Sequence, residues 1–511
     1  MIQRRFRLLS LLLCLCLLLA ACQKQPQEQD DPLPDPQEDP SNTSAKTLPS
    51  RFALPYFQGE SLDPVTCADG VQLELSSLLY EGLFYLDESY TVQYALCRSY
   101  RFQEDGRTYT FQLRDDALFS DGSAFTAADA AASLQRARSS QRYGSRLENI
   151  QSIRAVGNEL RIVLRQPNSS LPALLDVPLV KAGSEKQIVP LGTGPYYLLE
   201  SEDGACLRAN PYWRQGAPSL QEITLISAKD NATFSHLFSS HQIQALVSDL
   251  SNQDSAKLSG SFDSVDIATS QMLYLGFNTR GIFSDAALRS AVSSGIQRSQ
   301  IVSAIYSGHA QAAQLPFSPS WALYPQQLES TYSLSAYQLA LEELGYTTGK
   351  LHRLTLLVNS GDDFRLAAAN YIAQALSCDD LAISVQSLPW EEYTAALENG
   401  AFDLYLASVR LQPDWDISAL VCTGGKLNFG SFYDEALEAA LSAYQTSSSG
   451  ELQNTVLFLS SYFQEAAPFA PICFFNRTLQ LQSGVVDTPT LRVERPFSCL
   501  SRWVFHLAPA A

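Results

Sequence analysis

Two short stretches hold the side chains best placed to do chemistry. At Leu19-Ala20-Ala21-Cys22, a thiol follows small residues at the end of an apolar run. Small side chains let a peptidase reach the backbone, and the Cys22 thiol can take a diacylglyceryl group. Far downstream, Ser408-Val409-Arg410-Leu411-Gln412-Pro413-Asp414-Trp415-Asp416 gathers a guanidinium, two carboxylates and an indole. Arg410 can grip a carboxylate through a bidentate fork; a salt bridge at the surface or between lobes is the equal alternative. Asp414 and Asp416 can pair with an ammonium. Trp415, and Trp390 upstream, can stack on a ligand or a cation, although core packing is the commoner fate of a lone tryptophan.

Catalytic patterns are missing from the local sequence. The five histidines, His236, His241, His309, His352 and His506, make no HExxH or other close ligand spacing. There is no GxSxG elbow and no GxxxxGK[ST] loop. A dispersed Ser-His-Asp site leaves no such trace, so an enzyme is a weaker reading and not an excluded one. A net charge of −18 disfavours nucleic acid or an anionic membrane surface as the main partner. Ten cysteines fall to seven once Cys14, Cys16 and Cys22 are set aside. An odd count without CxxC argues against a disulfide-built scaffold, with one or two bridges still open. Cys206, Cys473 and Cys499 sit in apolar runs and read as small buried hydrophobes.

The elements that position these groups come next. Arg4, Arg5 and Arg7 precede the apolar run Leu8 to Leu19, which is too short to span a bilayer comfortably and has the shape of a signal peptide. Its end resembles the lipobox of bacterial lipoproteins. Two or more acyl chains there would anchor stably, at about 0.8 kcal/mol per buried methylene. Residues 23–50 are polar and carry Pro32, Pro34, Pro36 and Pro40, as in a disordered spacer.

A body of this length needs at least two lobes. Up to about Tyr274 strands dominate. Tyr109, Phe111 and Leu113 alternate with polar residues behind an Asp105-Gly106 turn. Thr126 caps a helix, with Asp129 at its positive end, and Leu160, Ile162 and Leu164 mark another strand. Beyond Met272, Ser284 or Asp285 starts a helix with Leu288, Val292 and Ile296 on one face. Ser335 opens a capping box for a helix that Gly345 ends. Then Leu354-Leu356-Val358, Phe364 to Leu376, Ile383-Val385, Trp390 to Glu398 and Phe402-Leu404-Leu406 read strand-helix-strand-helix-strand, an α/β pattern with parallel strands. Ligands of such sheets sit beyond the carboxyl ends of the strands, which singles out Val409 to Ile417. Ala470 to Phe505 reads as strand-rich again.

In order and spacing, these segments resemble the peptide- and nickel-class solute-binding proteins of ABC importers, family five. The resemblance runs through Leu62-Asp63-Pro64, Leu79-Tyr80-Glu81-Gly82-Leu83, the stretch from Asp105 to Arg114, Phe119-Ser120-Asp121-Gly122 and Thr126-Ala127-Ala128-Asp129. It continues through Gly192-Thr193-Gly194-Pro195-Tyr196, Asn210-Pro211-Tyr212-Trp213, and Phe277-Asn278-Thr279 with Phe283, Asp285, Arg289, Ala291 and Arg298. It covers nearly all of the chain from Ala53 onward. The physics of these motifs is structural: Gly192 and Gly194 allow tight turns, and Arg289 and Arg298 brace a lobe through salt bridges.

The resemblance implies an α/β, two-lobed periplasmic-binding-protein-like fold with an extra strand-rich subdomain and a hinge between the lobes. The expected division is a lipoprotein signal over 1–22, a spacer over 23–50, and a first lobe over 51–271 with an insertion at about 75–185. A second lobe over 272–469 and a return to the first over 470–511 complete it, with the hinge at the crossings near Met272 and Ala470. It also implies capture of a peptide-like solute and delivery to ABC transporter permease subunits, by a monomer held by its lipid on the extracytoplasmic face of the cell membrane. No cofactor, metal or nucleic acid is expected. A solute-sensing receptor and a surface hydrolase are the alternatives, and the ligand can be a peptide, a nickel chelate, an opine or a sugar. One departure stands out. Peptide-binding members place an aspartate for the ligand's α-ammonium shortly before a Pro-Asp-Pro-like stretch. Anchoring on Pro413-Asp414 puts Leu411 there, beside Arg410.

Overall fold

The computed structural model describes residues 48–509, apart from 68–69, 104–105, 203, 252–257 and 449. The leader, Cys22, most of the spacer and Asp105 lie outside the described residues. Among those described, no helix is long and apolar enough to cross a membrane.

Alternating sequence becomes half-buried sheet. Cys97–Phe102, Thr108–Leu113, Glu159–Leu164 and Ile150–Val156 form an antiparallel sheet in that order. Tyr109, Phe111 and Leu113 point into its core. Gly106 turns the first hairpin at φ 63°, a conformation that costs glycine little. Helix Ala127–Arg138 covers this core; Thr126 and Asp129 form a reciprocal capping box at its start. A second sheet joins Ala53–Tyr56 in parallel to Glu222–Ser227, then Gly204–Ala209 and Tyr196–Ser201. Asp63 ties the two together. It takes a fork from Arg136 at 2.5 and 2.8 Å and receives the Val65 N–H. Burial alone would raise its pKa, but these bonds hold it below the usual carboxylate value.

The third sheet has seven strands. His352–Asn359, Leu381–Leu388 and Leu404–Arg410 run parallel, joined by helices Asp363–Leu376 and Trp390–Glu398. The 16-residue strand Phe262–Phe277 and the 14-residue strand Phe469–Gln482 run antiparallel through the middle of the molecule. Their outer halves give Ile267, Leu479 and Leu481 to the core of one lobe. Their inner halves give Leu273, Leu275, Ala470 and Ile472 to that of the other. Each leucine buried this way stabilises by roughly 1.5–3 kcal/mol. Between the halves the register slips, from Ala268↔Asn476 to Met272↔Phe474. The result is a two-lobed α/β molecule whose lobes share one pair of strands.

Several local expectations need correction. Ser333, not Ser335, caps helix Leu334–Glu343, because it is Ser333 Oγ that meets the Ala336 N–H. Ile296 packs in the core but lies past the end of helix Ala286–Ser294. Of the stretch from Ala470 to Phe505 only the part up to Gln482 is strand; among the described residues beyond it, isolated bridges and one short 3-10 turn follow. Gly192 and Gly194 serve close approach rather than a turn: a Cβ there would lie 2.1 Å from Leu79 O and 2.5 Å from Leu79 C. Arg289 and Arg298 brace without salt bridges among the described residues. Arg289 donates to the carbonyls of Ala466, Ala467 and Phe283, and Arg298 to those of Ala313, Pro471 and Ser293. Cys473 is buried, but Cys206 and Cys499 are half-exposed.

Candidate functional site

A cleft of about 380 Å³ opens where the two long strands slip register. Irregular pairing there frees backbone groups, and side chains take them up. The Ser270 N–H donates to Glu494 Oε1 at 2.6 Å, and the Leu411 N–H donates to Ser270 O at 3.0 Å. Glu494 sits in the left-handed region at φ 62°, a strained conformation for a residue with a Cβ. It is held by its own N–H on Ala268 O and by its second oxygen, which accepts from Arg410 at 2.5 Å.

Charged side chains dominate the lining. Five arginines, 142, 146, 410, 477 and 495, face three carboxylates, Glu74, Asp176 and Glu494. Helix Gly70–Leu79 buries Leu75, Leu78 and Leu79 and thereby drives Glu74 into contact with Arg477. Burial raises the Glu74 pKa, with Arg477 opposing. Asp176 is shared by Arg146 and Arg495. Arg142, in the segment anchored by buried Tyr143 and Leu147, is exposed and donates to the Cys67 carbonyl. No carboxylate lies within ion-pair distance of it among the described residues. Among the described residues every acid of the cleft is therefore paired, while arginine is in excess.

The residues singled out by sequence are scattered by the fold. Arg410 lines the cleft with Leu411, which is buried there, and Pro413. Asp414 lies behind that wall, buried, with Asn168 Nδ2 donating to it at 2.9 Å. Burial, and then Asp416, push its pKa up to about 6. Asp416 caps the turn at Ser418. Trp415 is core: it packs on Tyr90, Trp321 and Phe474. Trp390 is 60% exposed, away from the cleft, against Tyr393. Sequence reasoning missed Arg142, Arg146, Glu74, Asp176, Arg477, Glu494 and Arg495. Charged residues inside apolar segments, as at Glu74 and Arg477, were the available signal. Among the described residues no cluster of His, Cys, Asp and Glu is arranged to hold a metal.

Residues 91–426 match the family described as bacterial extracellular solute-binding proteins, family 5, middle region. The glutathione-binding protein GsiB of Salmonella paratyphi A is 28% identical over 308 residues, 57% of this chain and 60% of that protein. The chain thus matches about three-fifths of the length of the curated relatives. The unliganded open form of the periplasmic murein tripeptide-binding protein MppA superposes with a TM-score of 0.75 at 19% identity, covering 90% of this chain and 98% of that one. The ABC transporter substrate-binding protein CtaP of Listeria monocytogenes gives 0.72 at 18%, covering 90% and 100%.

Proposed function

Because the chain belongs to the bacterial extracellular solute-binding proteins of family 5, we propose that it captures a small, anionic, peptide-like solute in the arginine-lined cleft and hands it to an ABC permease. The observation that carries this is the excess of arginine among the described residues there, against a net charge of −18 for the whole chain. A guanidinium grips a carboxylate bidentately and keeps its charge at any physiological pH. The volume, at the small end of ligand pockets, suits a solute of two or three amino-acid residues. A glutathione-binding relative points the same way, since glutathione is a tripeptide with two carboxylates. Recognition of a free α-ammonium has less support. Leu411 stands at the matched position, and a buried ammonium without a counter-charge costs several kcal/mol. In this reading the protein acts by binding and release, and diacylglycerol on Cys22 holds it at the extracytoplasmic face of the cell membrane.

The test is calorimetry with glutathione, its N-acetyl form and an uncharged tripeptide amide, on wild type and Arg142→Gln. Glutathione and its N-acetyl form are expected to bind alike, the amide weakly, and Arg142→Gln to lose about ten-fold in affinity. Equal affinity for the uncharged amide sinks the reading.

A further inference from the structure

Beside the cleft lies a second, smaller chamber of about 50 Å³. Ser77 and Arg495 line both, so the two cavities share a wall. Trp213 also lines the chamber. It is 9% exposed, and its Nε1–H is buried without a hydrogen-bond partner. An indole N–H can only donate, and a buried donor without an acceptor forfeits its hydration. Two further guanidiniums join Arg495 on this lining. That of Arg492 lies 3.4 Å from the centre of the Tyr85 ring and makes no ion pair among the described residues. That of Arg502 donates to Gln215 Oε1. The one carboxylate among the described lining residues, Glu81, is already taken by Arg214 at 2.6 Å and by the Thr193 hydroxyl at 3.0 Å. Arg492 and Arg502, which make no ion pair among the described residues, thus line the chamber with an orphaned donor and with Arg495, which is shared with Asp176, while the one described acid of the lining is spoken for. A water molecule would satisfy the indole but would leave Arg492 and Arg502 without a counter-charge.

We propose that this chamber is an oxyanion site, taking a carboxylate, sulfate or phosphate group. The group comes either from the second acid function of a solute lying in the cleft, a source that rests on the function proposed above, or from a free inorganic ion. Oxyanions accept from several N–H groups at once, which is what Trp213, Arg492 and Arg495 together offer.

The full chain, labelled with ¹⁵N at its five tryptophans, is titrated with sulfate at constant ionic strength. Trp213→Phe assigns the Trp213 indole signal. That signal is expected to shift saturably with sulfate and not with chloride, and Arg492→Gln to weaken sulfate about ten-fold. Calorimetric titration of wild type and Arg492→Gln repeats the comparison without the Trp213 variant. A Trp213 signal that ignores sulfate, or sulfate binding that Arg492→Gln leaves intact, overturns the site. Glutathione added to the sulfate complex separates the sources: displacement of sulfate assigns the chamber to the solute, and joint binding assigns it to an inorganic ion. Failure of glutathione to bind counts against the cleft reading alone and leaves the sulfate result standing.

Discussion

Asp414 is buried with one neutral side-chain donor, the Asn168 amide, and a second carboxylate, Asp416, two residues on. Its folded pKa, pushed up to about 6, exceeds the unfolded value of about 3.9. The folded state therefore holds the proton more tightly. Its stabilising contribution is complete below about pH 4 and is lost as pH rises through about 6. The loss is on the order of 3 kcal/mol. Asp414→Asn keeps an acceptor for Asn168 and cannot ionise. Relative to wild type it should gain stability from pH 4 to 6 and hold the gain above pH 7. Thermal unfolding of both proteins across pH 4–8 checks this; parallel curves would refute it. None of this was legible in the sequence, where Asp414 reads as a possible partner for an ammonium. Its neighbour Asn168 stands 246 residues away.

Among the elements, helix Arg298–Ala304 shares a core with the long strand Phe469–Gln482 through Ile301, and the Arg298 side chain hydrogen-bonds the strand at the Pro471 carbonyl. Arg298 is buried, its pKa lowered to about 10 by that burial, and four of its acceptors are carbonyls. The planar fork matters here more than the charge. Arg298→Lys retains the charge but cannot reach the same carbonyls, and orphaned buried carbonyls are costly. It should lose about 2–4 kcal/mol in urea unfolding, and a loss under 0.5 kcal/mol would show that charge alone sufficed. Elements with strong periodicity, such as the strand from Thr108 and helix Trp390–Glu398, were readable at once. The slip at Thr269–Gln271 was not, because a register shift depends on which strand lies opposite.

For the whole molecule, the lobes meet in two places: through the shared strands, and across contacts that the strands do not make. The Ser169 N–H donates to Gln445 O at 2.8 Å, the Ala322 N–H to Ser89 O at 3.0 Å, and Tyr90 packs on Trp415. Separation of the lobes must break these while the slipped segment flexes. A solute that binds only the closed form, at about 100 times its dissociation constant, adds roughly 2.7 kcal/mol. Small-angle scattering should show a smaller radius of gyration with saturating glutathione than without it. An unchanged radius would rule out closure and leave binding intact. At the same scale, Cys22→Ala should release the protein from membranes or leave its leader uncleaved, as fractionation and intact mass would show. Wild-type retention of a processed variant would defeat the anchor.

By itself, the sequence determined what neighbours along the chain decide. The capping box at Thr126, the alternation of Tyr109, Phe111 and Leu113, and the strand-helix rhythm after Leu354 all lie within a few residues. So did the family resemblance, which is carried by short motifs in order. Only the tertiary structure decided which charges share the cleft. Glu74 and Arg477 are 403 residues apart, Asp176 and Arg495 319, and Arg410 and Glu494 84. Charges inside a fold must find partners or pay the cost of lost hydration. Which partner each one finds is set by how segments distant in sequence pack together, and local periodicity carries no record of it.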